Sequence, residues 1–149
     1  RAVAEHLDYV GVFALELFHC DGQLLVNEMA PRVHNSGHWT GDGAQTSQFA
    51  NHLRAGLGLP LGDTAVLGAA AMLNWLGEMP SSLPVLRQAA GFWHDYGKQP
   101  RAGRKVGHAN LRCDDVAQMV QALTQIGEEL QRQAQVAPVL AALQAALAD

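Results

Sequence analysis

Apolar and polar positions change period several times along the chain, and each change marks a predicted element. Val3 and Leu7 lie four apart, as at the end of a helix. Residues 9–18 (Tyr-Val-Gly-Val-Phe-Ala-Leu-Glu-Leu-Phe) are almost all apolar and rich in β-formers, which predicts a strand buried on both faces. Asp21-Gly22 is a strong turn signal, and residues 24–28 return as a second strand. Phe49, Leu53 and Leu57 recur at i, i+4, i+8 and predict the buried stripe of a helix. Asp42 is placed as its N-cap, and Gly58 and Pro60 end it. Breakers cluster at Leu59-Pro60-Leu61-Gly62-Asp63, where the pattern passes from helix to strand. A domain boundary is expected there, with 1–62 before it and 63–149 after it. Residues 64–75 read as a long strand, 80–87 as a short helix, and 90–96 and 105–111 as strands. Asp114 and Asp115 open a helix that buries Val116, Met119, Val120, Leu123, Ile126 and Leu130. Val136, Leu140, Leu143 and Leu147 keep helical spacing in a last helix, with Pro138 in its first turn.

Two acids lie in the predicted hairpin. Glu16 shares a strand face with Val10, Val12 and Ala14, where a carboxylate is costly unless something compensates it. If the loop is the three-residue Asp21-Gly22-Gln23, residue 16 pairs with 28 and the two carboxylates sit side by side. A two-residue Asp21-Gly22 turn instead pairs 16 with 27 and sends Glu28 to the other face. Directly opposed like charges repel, but a divalent cation between them reverses the sign, and hard ions such as Mg²⁺ take carboxylate oxygens. One Glu exposed on a sheet face is the plainer alternative.

The following stretch, Asn27-Glu28-Met-Ala-Pro-Arg32-Val-His34-Asn35-Ser36-Gly37-His38, packs polar chemistry densely between a strand and a helix. A zinc site through His34 and His38 needs a helix, and Ser36-Gly37 argues against one. Farther on, Lys98, Arg101, Arg104 and Lys105 place four of the ten basic residues within eight positions, with no acid among them. Pro100 and Gly103 suggest a tight turn there, feeding strand 105–111. Clustered cations on a turn suit a phosphate monoester, bound partly through arginine forks; a solvated basic turn is the plainer alternative.

The bulk numbers narrow the field. The 149 residues are 48% hydrophobic and 16% charged, enough for one ordinary core or pieces of two. A net charge of −4 speaks against a general nucleic-acid binder. Cys20 and Cys113 are far apart and outside any CxxC pattern, so free thiols in a reducing compartment are expected. No signal peptide appears, and no apolar run approaches the ~18–20 residues of a membrane helix. Residue 1 is Arg, not Met, and a strand pattern starts almost at once; a piece of a longer protein is expected.

At Glu16, Asn27-Glu28 and Pro31-Arg32 the chain resembles the end of an ATP-grasp domain. His34-Asn35-Ser36-Gly37-His38-Trp39-Thr40 and Arg101-x-x-Arg104-Lys105-x-Gly107-His108 narrow the likeness to the 5-(carboxyamino)imidazole ribonucleotide synthase family, from about Tyr9 to about Leu111. Formate-dependent glycinamide ribonucleotide transformylases are similar, but typically carry His-Asp-Thr-Gly where this chain has His-Asn-Ser-Gly. Biotin carboxylases carry an Asn two positions after the second acid; here Ala30 stands there, so a third side-chain metal ligand is missing.

The resemblance implies an α+β fold: the C-terminal portion of an ATP-grasp domain, with antiparallel strands plus a helix, then a small β-rich domain closed by helices. It implies an ATP-dependent carbon–nitrogen ligase that carboxylates 5-aminoimidazole ribonucleotide with bicarbonate in purine biosynthesis. Glu16 and Glu28 would hold Mg²⁺, or Mn²⁺ in its place, and Asn27 and Glu28 would bind ATP. In a regular strand Asn27 would need a twist or bulge to reach the nucleotide. Arg32, His34 and Asn35 would serve catalysis, with Arg32 on bicarbonate or carboxyphosphate. Ser36, Gly37, Lys98, Arg101, Arg104 and Lys105 would bind the ribotide. The partners are then small molecules, with no nucleic acid and no membrane. The whole protein is expected to be a cytoplasmic homodimer, with this piece inactive alone. A non-enzymatic module holding a phosphoribosyl ligand at the basic stretch is the alternative.

Overall fold

A computed structural model describes residues 2–148. The fold is α+β: an antiparallel hairpin with helices, then a small antiparallel sheet flanked by helices. The chain forms two compact units, one ending at Ala65 and one starting at Val66.

The first unit begins with α1 (Ala2–His6). Val3, Ala4 and Leu7 line a small apolar crevice with Tyr9, Phe13, Met29 and Pro31. The strand expected from residue 9 starts only at Ala14. Gly11 has φ 134°, and side chains take the place of a ladder: the Tyr9 hydroxyl donates to the Val12 carbonyl (2.9 Å) and the Val12 N–H donates to His52 Nδ1 (3.1 Å). Strands β1 (Ala14–Cys20) and β2 (Gln23–Ala30) form an antiparallel ribbon. It is not buried on both faces as expected. Phe18 is 56% exposed and Val26 69% exposed. A two-stranded ribbon buries apolar side chains only under another layer, and among the described residues none covers this end.

A single 3-10 turn (Asn35–Gly37) and α2 (Thr40–Gly43) lead to α3 (Gln48–Gly56). Asp42 lies inside α2 and is not the N-cap of α3. Ser47 is, its hydroxyl accepting the Ala50 N–H at 3.1 Å. The helix also faces the other way from the expected stripe. Phe49, Leu53 and Leu57 are 43%, 65% and 73% exposed, whereas Gln48 and Asn51 are buried. Burial of two amides is sustained because both are hydrogen-bonded. Asn51 Oδ1 accepts the Gly62 N–H (2.8 Å) and its Nδ2 donates to the Gly62 carbonyl (3.3 Å).

The second unit is built on a sheet of order β3-β5-β4, antiparallel throughout: β3 (Ala69–Gly77), β4 (Gly91–Asp95) and β5 (Arg101–Cys113). The short α4 (Leu83–Leu86) precedes β4. Central β5 is buried from Val106 to Leu111. Helix α5 (Val116–Glu129), capped by Asp115 accepting the Gln118 N–H at 2.9 Å, lays Met119, Leu123 and Ile126 on the core with Leu73, Trp75 and Val85. Burying each such side chain is worth roughly 1.5–3 kcal/mol. Helix α6 (Gln133–Ala148) adds Val136, with Leu140 and Leu143 against the same cluster. It starts earlier than expected, so Pro138 falls inside the helix, on its exposed side, rather than in the first turn.

The basic stretch is not a tight turn. β5 already begins at Arg101, paired with Gly77, and Lys105 pairs with Leu76. Residues 102–104 therefore bulge from the ladder, with Gly103 at φ 72°.

Candidate functional site

The hairpin settles how its acids are arranged. Cys20 pairs with Gln23, so the turn is the two-residue Asp21-Gly22, at φ 50° and 77°. Left regular, that turn would pair Glu16 with Asn27. The register shifts between Glu16 and Leu17, however: Leu17 pairs with Val26 and Glu16 with Glu28. Asn27 is the extra residue of a β-bulge, so two residues of β2 face Glu16. The two-residue turn thus forms, but the bulge reverses its consequence, and Glu28 stands opposite Glu16 rather than on the other face. Asn27 Nδ2 donates to Glu16 Oε2 at 3.2 Å.

His34 reaches the same place. Its Nε2 lies 3.1 Å from Glu16 Oε1. Its Nδ1 accepts the Ser36 N–H at 3.3 Å and lies 2.9 Å from the Ser36 hydroxyl. An accepting Nδ1 leaves the proton on Nε2, so the imidazole donates to Glu16. One donor atom each from Glu16, Glu28 and His34 fall within 4.8 Å of one another. Around Mg²⁺, oxygen ligands stand at most about 4.2 Å apart. Small side-chain rotations thus suffice to close two carboxylates on a hard cation, and the donor set fits such an ion. His34 joins this cluster as a donor to Glu16.

A residue absent from the sequence-based candidates holds this loop. Gln48 Oε1 accepts the His34 N–H (3.0 Å), and Gln48 Nε2 donates to the His34 carbonyl (2.7 Å) and to His38 Nδ1 (2.7 Å). Its own N–H donates to Thr40 Oγ1 (2.9 Å), whose hydroxyl donates to the Gly37 carbonyl (2.6 Å). Gly37 is glycine for a packing reason: a Cβ there would stand 2.5 Å from Gln48 Oε1. His34 and His38 thus make hydrogen bonds to different partners. Asn35 Oδ1 is buried without a hydrogen-bond partner. Arg32 is exposed, one nitrogen donating to the Val33 carbonyl at 3.0 Å.

In the second unit, Lys98, Arg101 and Arg104 are exposed. Arg104 Nη1 donates to the Gln99 carbonyl at 3.4 Å. Lys105 differs: its Nζ is buried without a hydrogen-bond partner. Burial, then the neighbouring Lys98 charge, lowers its pKa from 10.5. Tyr96 lies close to both of these lysines. Its ring centroid is 5.0 Å from Lys98 Nζ and 5.6 Å from Lys105 Nζ, and its hydroxyl is hydrogen-bonded to His108 Nδ1 at 2.7 Å.

Comparison with known proteins gives this arrangement its class. Residues 1–49 match the model of the ATP-grasp domain, and residues 70–122 match that of the phosphoribosylaminoimidazole carboxylase C-terminal domain. The chain is thus similar to an ATP-grasp domain over its first part and to that C-terminal domain over its second. It is 59% identical over 115 residues to N5-carboxyaminoimidazole ribonucleotide synthase of Pseudomonas aeruginosa, covering 77% of this chain and 32% of that protein. It superposes on the crystal structure of the corresponding synthetase from Thermus thermophilus with a TM-score of 0.79 at 56% identity, covering 85% of this chain and 35% of the other. The N5-carboxyaminoimidazole synthase of Aspergillus clavatus, solved in complex with ADP and 5-aminoimidazole ribonucleotide, matches with a TM-score of 0.70 at 30% identity, over 82% and 35% of the two chains. By this likeness the chain corresponds to part of an N5-carboxyaminoimidazole ribonucleotide synthase, and it spans about a third of the length of these relatives.

Proposed function

We propose that this chain is the part of an ATP-dependent ligase that carboxylates the exocyclic amine of 5-aminoimidazole ribonucleotide in purine biosynthesis. The observation that carries the proposal is the Glu16–Glu28 pair brought face to face by the Asn27 bulge, with His34 on Glu16. In this reading bicarbonate oxygen attacks the γ-phosphorus of ATP, giving carboxyphosphate and ADP. Carboxyphosphate breaks to CO₂ and phosphate, and the amine nitrogen adds to the carbon and loses a proton.

Glu16 and Glu28 would hold Mg²⁺, or Mn²⁺; bound there, the ion would neutralise charge on the nucleotide phosphates. Asn27 and Glu28 face the nucleotide. Arg32, exposed beside the acids in sequence, binds bicarbonate or carboxyphosphate through its fork. Asn35, with a buried acceptor oxygen and no partner, is suited to receive the substrate amine N–H. Ser36 fixes the His34 ring, and His34 holds Glu16 in place. At Gly37 the missing side chain makes room for Gln48. Lys98, Arg101, Arg104 and Lys105 grip the ribotide phosphate, which contributes by positioning the amine.

In this reading the whole protein acts on small molecules, which the family likeness supports, and is a cytoplasmic homodimer. No helix of the described residues is long and apolar enough to cross a membrane. The test is ADP release by the full-length protein. It should require both ribotide and bicarbonate, and ADP release indifferent to the ribotide would remove the proposal.

A further inference from the structure

We infer that Tyr96 is a positioning residue for the ribotide phosphate, acting as a platform that gathers Lys98 and Lys105 over one ring. This inference rests on the reading of the basic stretch given above.

Tyr96 follows β4 directly, and its N–H donates to the Val106 carbonyl at 3.0 Å, which extends the strand pairing by one residue. The side chain is thereby fixed beside β5. Its hydroxyl end is held as well, by His108 Nδ1 at 2.7 Å. His108 is buried, and its ring stacks on His94 with centroids 4.3 Å apart and planes 12° apart. Burial raises the pKa of the Tyr96 phenol, so it stays neutral and serves as a π-face.

Two ammonium groups lie within 6 Å of that ring. The range suits cation–π attraction, and that attraction offsets part of the repulsion between the lysines. Lys98 sits on a loop after Gly97, at φ 63°, whereas Lys105 sits in the central strand. Seven residues apart in sequence, they share one aromatic neighbour. Lys105 Nζ has neither a hydrogen-bond partner nor much solvent, an arrangement poised for an anion rather than satisfied by the protein. A phosphate monoester dianion supplies both the charge and the acceptor oxygens. The arginines differ in kind: they are exposed forks that reach the ligand from solvent.

The test uses the full-length enzyme with ribotide, bicarbonate and Mg²⁺-ATP, in the variants Tyr96→Leu, Tyr96→Phe and Arg104→Ala. Tyr96→Leu removes the platform and should raise the ribotide KM about tenfold, with the ATP KM and kcat changing less than about twofold. Tyr96→Phe keeps the ring and should stay within about threefold of the parent. Equal effects of Tyr96→Leu on both substrates, or none on the ribotide, would overturn the inference. Arg104→Ala separates the two levels: an unchanged ribotide KM in that variant sinks the reading of the basic stretch itself. Should Tyr96→Leu fail to fold, ¹³C-dimethylated lysines in the parent and in Tyr96→Phe decide. Lys98 and Lys105 resonances displaced by the ring current support the platform, and undisplaced resonances overturn it.

Discussion

Glu16 stands opposite Glu28 across a two-residue hairpin because Asn27 is bulged out of the ladder between them. The bulge does two things at once. It turns a register that would separate the acids into one that pairs them, and it frees an amide that donates to Glu16 at 3.2 Å. Two like charges directly across a ribbon are unfavourable by themselves. The Asn27 amide and the His34 ring, both donors, hold Glu16 against that repulsion.

Asn27→Ala removes one of those donors and leaves the backbone bulge. The half-exposed setting brings the bond below the usual range for charged partners, to about 1 kcal/mol. Half-saturation by Mg²⁺ in the full-length enzyme should therefore rise about fivefold, measured as the ADP-release rate against free Mg²⁺. No change would mean that the amide leaves the carboxylate indifferent.

Gln48 is predicted to matter more than its place on a helix suggests. Gln48→Leu leaves the His34 N–H and carbonyl and His38 Nδ1 without the partners described here. It should lower stability by about 2–3 kcal/mol. Gly37→Ala should act in the same direction, because a Cβ there meets Gln48 Oε1, whose position three hydrogen bonds fix. Urea unfolding measures both, and a Gln48→Leu protein as stable as the parent would contradict the assigned role.

Lys105 gives the protein a pH signature. Burial, then Lys98, lowers its folded pKa, so the ammonium is lost at lower pH than from an ordinary lysine. Ribotide affinity should therefore fall as pH rises through that lowered value, and Lys105→Arg should move the fall to higher pH because guanidinium stays charged. Stability follows the opposite sign. Between the lowered folded value and 10.5 the unfolded chain binds more protons, so stability rises with pH across that window. Lys105→Met should flatten the rise. Binding titrations and denaturation curves at several pH values check both.

The sequence made some of this legible and hid the rest for physical reasons. In the second unit α5 and the buried part of β5 follow hydrophobic period, because both lie in one core, whereas the strand expected over 64–75 starts only at Ala69. In the first unit the same signals misled. Residues 9–13 carry a strand pattern but are tied by Tyr9 and His52 instead. Phe49, Leu53 and Leu57 keep helical spacing yet face solvent, while the amides of Gln48 and Asn51 turn inward. Periodicity reports apolar burial and is blind to a helix face that is buried through hydrogen bonds. Glu16, Glu28 and His34 were each visible as candidates. Their convergence depended on one bulged residue, and no pattern of side-chain types encodes a bulge at Asn27.

The most direct measurement is calorimetric titration of ATP into the full-length protein, with and without Mg²⁺, for the parent and for Glu28→Gln. In the parent, Mg²⁺ should tighten ATP binding by at least about tenfold, and in Glu28→Gln most of that gain should vanish while metal-free ATP binding stays near the parent value. A Glu28→Gln protein that keeps the full Mg²⁺ dependence would contradict a carboxylate pair built to share a divalent ion.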